Sequence, residues 1–127
     1  MAEVRPFEAV RPAEEYAEQI AALPYDVFDG EEAKREVEKR PLTFLAIDRP
    51  ETIAKSGEDR YEKAGELLWK RREEGYFTQE ETPCYYVYEL TAKRRSQTGI
   101  AGLVRVDDYL SGTIRRHENT RTEKEAG

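Results

Sequence analysis

Short helix-favouring stretches rich in Glu, Lys and Arg alternate along this chain with short β-prone apolar runs, and this alternation constrains the fold more than any single motif. Residues 13–22, 30–39 and 58–74 favour helix, whereas 42–47, 76–77, 84–90 and 100–106 favour strand. The expected class is α/β in the broad sense (α+β): a mixed sheet with flanking helices, about three or four helices and roughly five short strands. Charged and hydrophobic residues each make up 38% of 127 residues, with a mean hydropathy of −0.89, so the core is thin. A chain of this size buries roughly two-thirds of its extended surface. We therefore expect one domain over residues 1–122, a polar tail over 123–127, and an incomplete portion of a larger fold.

Local chemistry sets the boundaries. Pro12 suits a first helical position, and Ala, Glu and Gln favour the interior that follows. Asp29 is placed to cap a helix ending near Lys39, and Arg40-Pro41 stops it. Asp26, in P-Y-D-V, is divided between helix-entry chemistry and hydrogen bonding to a hydroxylated ligand. Leu42 to Ile47 reads as β-prone. In the helix over 58–74, Tyr61, Ala64, Leu67 or Leu68 and Trp69 are expected to form one apolar face, with Gly65 permitting close packing and Gly75 ending the helix. The polar 93–98 segment reads as a hairpin or longer loop, and Asp107-Asp108 as a turn. The glycines of T-G-I-A-G at 98–102 fit close backbone packing or a bulge and match no phosphate-binding loop.

Several function classes are disfavoured. The single Cys84 forms no internal disulfide and no Cys/His metal set is apparent, so a reducing cytoplasm is expected and no metal ligands are assigned. No apolar run approaches the ~18 residues of a membrane span. Residues 1–90 carry 13 Lys or Arg against 22 Asp or Glu, whereas 91–127 carry 8 against 5, giving local balances of −9 and +3. An acidic body argues against nucleic acid, while the positive end attracts phosphate or carboxylate.

That positive end holds the densest chemistry. Arg115, Arg116 and Arg121 offer planar donor forks for an anion, and Thr120 adds a hydroxyl. His117, the only histidine, exchanges protons near neutral pH, and Glu118 is a rival base. The cluster is not a H-E-x-x-H zinc motif, because Arg121 stands where the second histidine would be. Ligand contact, proton transfer and a solvated tail all account for these letters. Arg5 and Arg11 flank Phe7 and Val10 and are further anion-binding candidates, with surface ion pairing as the competing role.

The landmarks V-R-P-F-E-A-V-R-P at 4–12, P-Y-D-V at 24–27 and P-L-T-F-L-A-I-D-R-P at 41–50 occur in order with Y-E-K-A at 61–64 and P-C-Y-Y-V-Y at 83–88. Q-T-G-I at 97–100, D-D-Y at 107–109 and I-R-R-H-E-N-T-R at 114–121 complete the series. In this combination the chain resembles the N-terminal portion of the family numbered 1015 among the domains of unknown function. Arg40 stands where the family usually has asparagine, and Thr43 where it has serine. The resemblance implies a protein several times longer, whose later portion carries a D-G-H-H-R-Y-like segment similar to the ParB-like and sulfiredoxin-like phosphate-binding proteins, free-serine kinases among them. It implies that this chain supplies one side of a composite site, with the missing C-terminal region as its partner. The expected ligand is a nucleotide or phosphorylated small metabolite, with phosphoryl transfer using ATP and Mg2+ in the complete protein. A noncatalytic protein-interaction or regulatory module is the alternative, and a homo-oligomer is an open partner state.

Overall fold

A computed structural model describes residues 1–115. Its elements, in order, are β1 (Val4–Arg5), β2 (Val10–Pro12), α1 (Ala17–Ile20), α2 (Gly30–Lys39), α3 (Leu45–Asp48), α4 (Arg60–Glu73), β3 (Phe77–Gln79), β4 (Tyr86–Ala92), β5 (Arg95–Ala101), β6 (Leu103–Val104) and α5 (Val106–Leu110). Short 3-10 turns at Glu14–Tyr16, Tyr25–Val27 and Pro50–Thr52 lead into the helices or link them. The class is α+β. Its strands form three separate antiparallel pairs, β1–β6, β2–β3 and β4–β5, where one mixed sheet was expected. The contacts divide the chain into two compact units, residues 10–79 and residues 1–9 together with the chain from 80 onward.

The unit over 10–79 is mainly helical. Asp29 caps α2 as expected: its carboxylate accepts from Glu32 N at 2.8 Å, and the Glu32 carboxylate accepts from Asp29 N at 3.0 Å, which closes a reciprocal capping box. Asp59 caps α4 by accepting from Tyr61 N and Glu62 N. At the other end of α4, Tyr76 N donates to Arg71 O and Gly75 N to Arg72 O, with Gly75 at φ +84°. This is the Schellman closure that the Gly75 stop signal anticipates, and it needs the left-handed conformation glycine adopts without strain. Strands β2 and β3 pair Val10 with Gln79, Arg11 with Thr78 and Pro12 with Phe77.

Ile20, Ala33, Leu45, Ala46 and Phe77 form the core of this unit, with Ala13 at its edge and Thr43 and Arg71 buried beside it. Phe44 packs edge-on against Phe77 at 6.3 Å, and Tyr16 against Tyr76 at 4.8 Å. The β-prone run at 42–47 is corrected to a turn followed by α3. The carbonyls of Thr43 within it and of Pro41 just before it accept from the buried Arg71 guanidinium at 3.1 and 2.6 Å. Packing of Leu45 and Ala46 then selects a helical turn for a run too short to declare its own period. The apolar face expected on α4 is corrected at its two aromatic positions, whereas Ala64, Leu67 and Leu68 are half-buried. Tyr61 is 68% and Trp69 62% exposed, while Arg71 occupies the inside position. Gly65 has open space where a Cβ would stand and marks no close approach.

The second unit is built on β pairing. Strands β4 and β5 run in register from Tyr86 opposite Ala101 to Ala92 opposite Arg95, joined at Lys93-Arg94, where Lys93 takes φ +57°. The expected loop is thus two residues, and Ser96, Gln97 and Thr98 belong to β5. Phe7 and Cys84 exchange backbone hydrogen bonds at 3.0 Å each way. Tyr86 fastens the segment beside them: its hydroxyl donates to Phe7 O at 2.8 Å and accepts from Ala9 N at 2.9 Å, and its ring meets Phe7 edge-on at 5.0 Å. Gly102 makes the close approach that the glycine pattern anticipates. A Cβ there would lie 2.7 Å from Val4 Cγ1 and 3.2 Å from Arg5 O, whereas Gly99 has open space. Asp107 and Asp108 stand in the short helix α5 instead of a turn.

Candidate functional site

Arg116, His117, Glu118, Thr120 and Arg121 lie outside the described residues. Arg115, the described member of that cluster, is exposed after the turn that follows α5. Arg5 is an exposed residue of β1 whose Nε donates to Glu3 at 2.7 Å. This hydrogen bond and the Glu3 charge raise its pKa above the usual arginine value. The other oxygen of Glu3 reaches Arg105 at 3.8 Å, so both arginines share one carboxylate. Arg11 is exposed in β2 opposite Thr78. Asp26 is exposed in the 3-10 turn Tyr25–Val27. Arg5 and Arg115 therefore belong to the β-rich unit, and Arg11 and Asp26 to the helical one.

Three arginines that the sequence reading gave no binding role organise the helical unit. Arg40 ends α2 at φ −126°, ψ 80°, and Arg49 ends α3 at φ −120°, ψ 66°. Each precedes a proline, which excludes the helical region for the preceding residue. Each then turns its guanidinium onto carbonyls of a neighbouring segment. Arg40 Nη2 donates to Glu18 O and Ala21 O at 2.9 Å, at the C-terminal end of α1, where carbonyls lack helical partners. Arg49 Nη1 donates to Tyr25 O at 3.0 Å and Phe28 O at 2.9 Å, and its Nε pairs with Glu51. Arg71 is the third. Burial lowers its pKa, with the charges of Glu74 and Tyr76 acting in the opposite direction. For Arg40 and Arg49 the available signal was an Arg-Pro dipeptide, one at a predicted helix end and one in a turn after a predicted strand.

Two open grooves flank these clamps. One, about 480 Å³, lies over the α3–α4 connection between Glu51 and Tyr61. The other, about 400 Å³, runs along α2 and is lined by Val27, Phe28, Glu32, Arg35, Glu36 and Lys39. Among the described residues no group of three His, Cys, Asp or Glu side chains is placed to hold a metal ion, and no helix is long and apolar enough to cross a membrane.

A family model described as a protein of unknown function, DUF1015, matches residues 4–127. The chain belongs to this family. Neither a curated protein nor a solved structure matches it. In this DUF1015 chain, two landmarks distant in sequence meet through Arg49, since the D-R-P arginine holds one carbonyl within P-Y-D-V, at Tyr25, and one just after it, at Phe28. Arg40 spans from the end of α2 to the end of α1, a reach that a shorter side chain such as asparagine lacks.

Proposed function

We propose that this chain forms one wall of a composite anion-binding protein, completed by further family sequence or by a partner that covers its β-rich unit. One observation carries this reading. Among the described residues, every buried residue belongs to the helical unit, whereas the β4–β5 hairpin exposes Val87 and Ile100 at 76% each and Tyr88 at 61%. A two-stranded ribbon without a packed face is marginal in water, and covering either face removes apolar area from solvent.

The ligand of the completed site is a nucleotide or phosphorylated metabolite, and the chemistry is phosphoryl transfer to a small hydroxyl. Support comes from the residue types at 115–121, and the proposal includes a relation of the longer family proteins to ParB-like and sulfiredoxin-like phosphate-binding proteins. In this proposal Arg115, Arg116 and Arg121 hold the phosphoryl oxygens and Thr120 orients the donor. The acceptor oxygen forms its bond to phosphorus as the bond to the leaving phosphate oxygen breaks, and His117 or Glu118 takes the acceptor proton. ATP is the proposed donor, with Mg2+ on its phosphates, and Arg5, in the same unit as Arg115, is a secondary contact, while Arg11 and Asp26 are separate candidate contacts of the helical unit.

The test is a binding screen of nucleotides and phosphorylated metabolites, with and without Mg2+, on this chain and on the chain extended to the usual family length. Arg116→Ala is expected to weaken binding by about 1–3 kcal/mol, and either His117→Ala or Glu118→Gln to reduce turnover with affinity kept. Folded variants with unchanged affinity and rate at all three positions would sink the phosphate role. The exposed hairpin favours a second reading, a noncatalytic docking module. Retained partner binding in the His117→Ala, Glu118→Ala variant without any nucleotide response would select it.

A further inference from the structure

The groove along α2 combines a rigid wall with uncommitted positive charge. Its wall, Val27 and Phe28, is fixed from outside the groove by Arg49, whose Nη1 holds the carbonyls of Tyr25 and Phe28. Its floor is fixed by the Asp29–Glu32 capping box. Both acids that line it are already engaged: Glu32 Oε2 accepts from Asp29 N at 3.0 Å, and Glu36 Oε1 accepts from Arg40 Nη1 at 3.3 Å. Arg35 and Lys39 are four residues apart, and so lie one helical turn apart on one face. Neither has a hydrogen-bonding or ionic partner among the described residues, and both are exposed. Lys39 also lines a separate, smaller cavity of about 190 Å³ with Arg40 and Leu42.

We propose that this groove binds a small organic anion, its oxyanion head held by Arg35 and Lys39 and its flat apolar body laid against Val27 and Phe28. The groove volume lies within the roughly 300–1,000 Å³ range of small-molecule sites. A guanidinium fork and an ammonium one turn apart suit a carboxylate or phosphate monoester. The carboxylates of Glu32 and Glu36 disfavour a highly charged ligand such as a triphosphate, because its additional charge would face them. Cations in the last turns of a helix also complement its dipole, but that effect requires neither an apolar wall nor a ligand. The site is independent of the 115–121 cluster.

The full 127-residue chain, isotopically labelled, is titrated with benzoate, phenyl phosphate, inorganic phosphate and neutral benzamide, and amide signals are followed by NMR. Saturable shifts confined to residues 27–39 are expected for benzoate or phenyl phosphate. Whichever binds more tightly identifies the head group as carboxylate or phosphate. Inorganic phosphate, lacking the apolar body, and benzamide, lacking the charge, are each expected to bind at least about tenfold more weakly. The Arg35→Gln, Lys39→Gln double variant is expected to lose about tenfold or more in affinity with its spectrum otherwise unchanged, and Lys39→Gln alone an intermediate amount. Arg116→Ala should leave this binding intact. Absence of saturable shifts with both aromatic anions, equal binding of benzamide, or unchanged affinity in the folded double variant would each overturn the proposal.

Discussion

At the scale of single residues, arginine is the structural currency of the helical unit. Arg71 is 4% exposed and gives its donors to two backbone carbonyls, with no carboxylate hydrogen-bonded to it among the described residues. Arg71→Ala removes the guanidinium donor from both carbonyls and leaves the buried Thr43 O only its longer bond from Ala46 N at 3.3 Å, and the expected loss is about 1–3 kcal/mol in urea unfolding. Arg71→Lys should recover only part, because an ammonium lacks the planar fork that reaches both carbonyls. A variant as stable as the parent would show that water replaces the guanidinium. Gly102 is the corresponding position in the β-rich unit. Gly102→Ala drives a methyl toward Val4 and Arg5 O, and is expected to cost about 1–3 kcal/mol, read as faster amide exchange in β1 and β6. The Arg71 role is not visible in the letters alone, because an arginine in a charged helix has many ordinary uses, whereas the glycines of 98–102 already pointed to close backbone packing or a bulge.

At the scale of elements, the helix ends were the most legible feature. Asp29 and Gly75 each act within four residues of themselves, and local chemistry of that kind needs no knowledge of the fold; Asp59, which fell inside the helix expected over 58–74, caps α4 by the same chemistry. Asp29→Ala should therefore cost about 1 kcal/mol, measured as a lower denaturant midpoint with an unchanged slope. The α3 connection carries two acids with opposite pH behaviour. Partial burial opposes ionisation of Glu51, but the Arg49 hydrogen bond and the charges of Arg49 and Arg60 outweigh it and lower its pKa below the usual 4.5. The folded chain thus prefers the Glu51 carboxylate. Its stabilising effect is present above about pH 4.5 and lost as pH falls through the lowered value. Asp48 is the reverse: although one side is open to solvent, burial of the other raises its pKa above the usual 3.8. The resulting penalty appears as pH rises through the raised value and persists at neutrality. Asp48→Asn should raise the thermal midpoint at pH 7 and Glu51→Gln should lower it, and both differences should vanish in strong acid. Equal differences at pH 7 and in strong acid would contradict these assignments.

At the scale of the whole molecule, burial is concentrated in residues 10–79. Native-state hydrogen exchange is expected to show the greatest protection in α2 and α4, with β4 and β5 opening at much lower free energy. Uniform protection of both units would contradict a stability set by burial. Val87→Thr and Ile100→Thr lie on the solvated hairpin and should change the stability of the chain by no more than about 0.5 kcal/mol, while weakening association with whatever covers it. A large stability loss in the isolated chain would show that these side chains already belong to a core.

The α+β class, the capped helices, the Gly75 stop and the β4–β5 hairpin were legible in the sequence, because each follows from turn chemistry or periodicity within a few residues. The candidate cluster at 115–121 was legible only as chemistry, since residue types name what a group can do and not what it faces. Tertiary structure decided the rest. It made α3 from a β-prone run, because packing of Leu45 and Ala46 and the Arg71 hydrogen bonds outweighed β propensity. It turned Trp69 outward and Arg71 inward on one helix, a choice that depends on where backbone carbonyls await donors rather than on hydrophobicity. It also set Arg35 and Lys39 beside Val27 and Phe28, because the Arg49 clamp forms only when residues more than twenty positions apart are folded against one another.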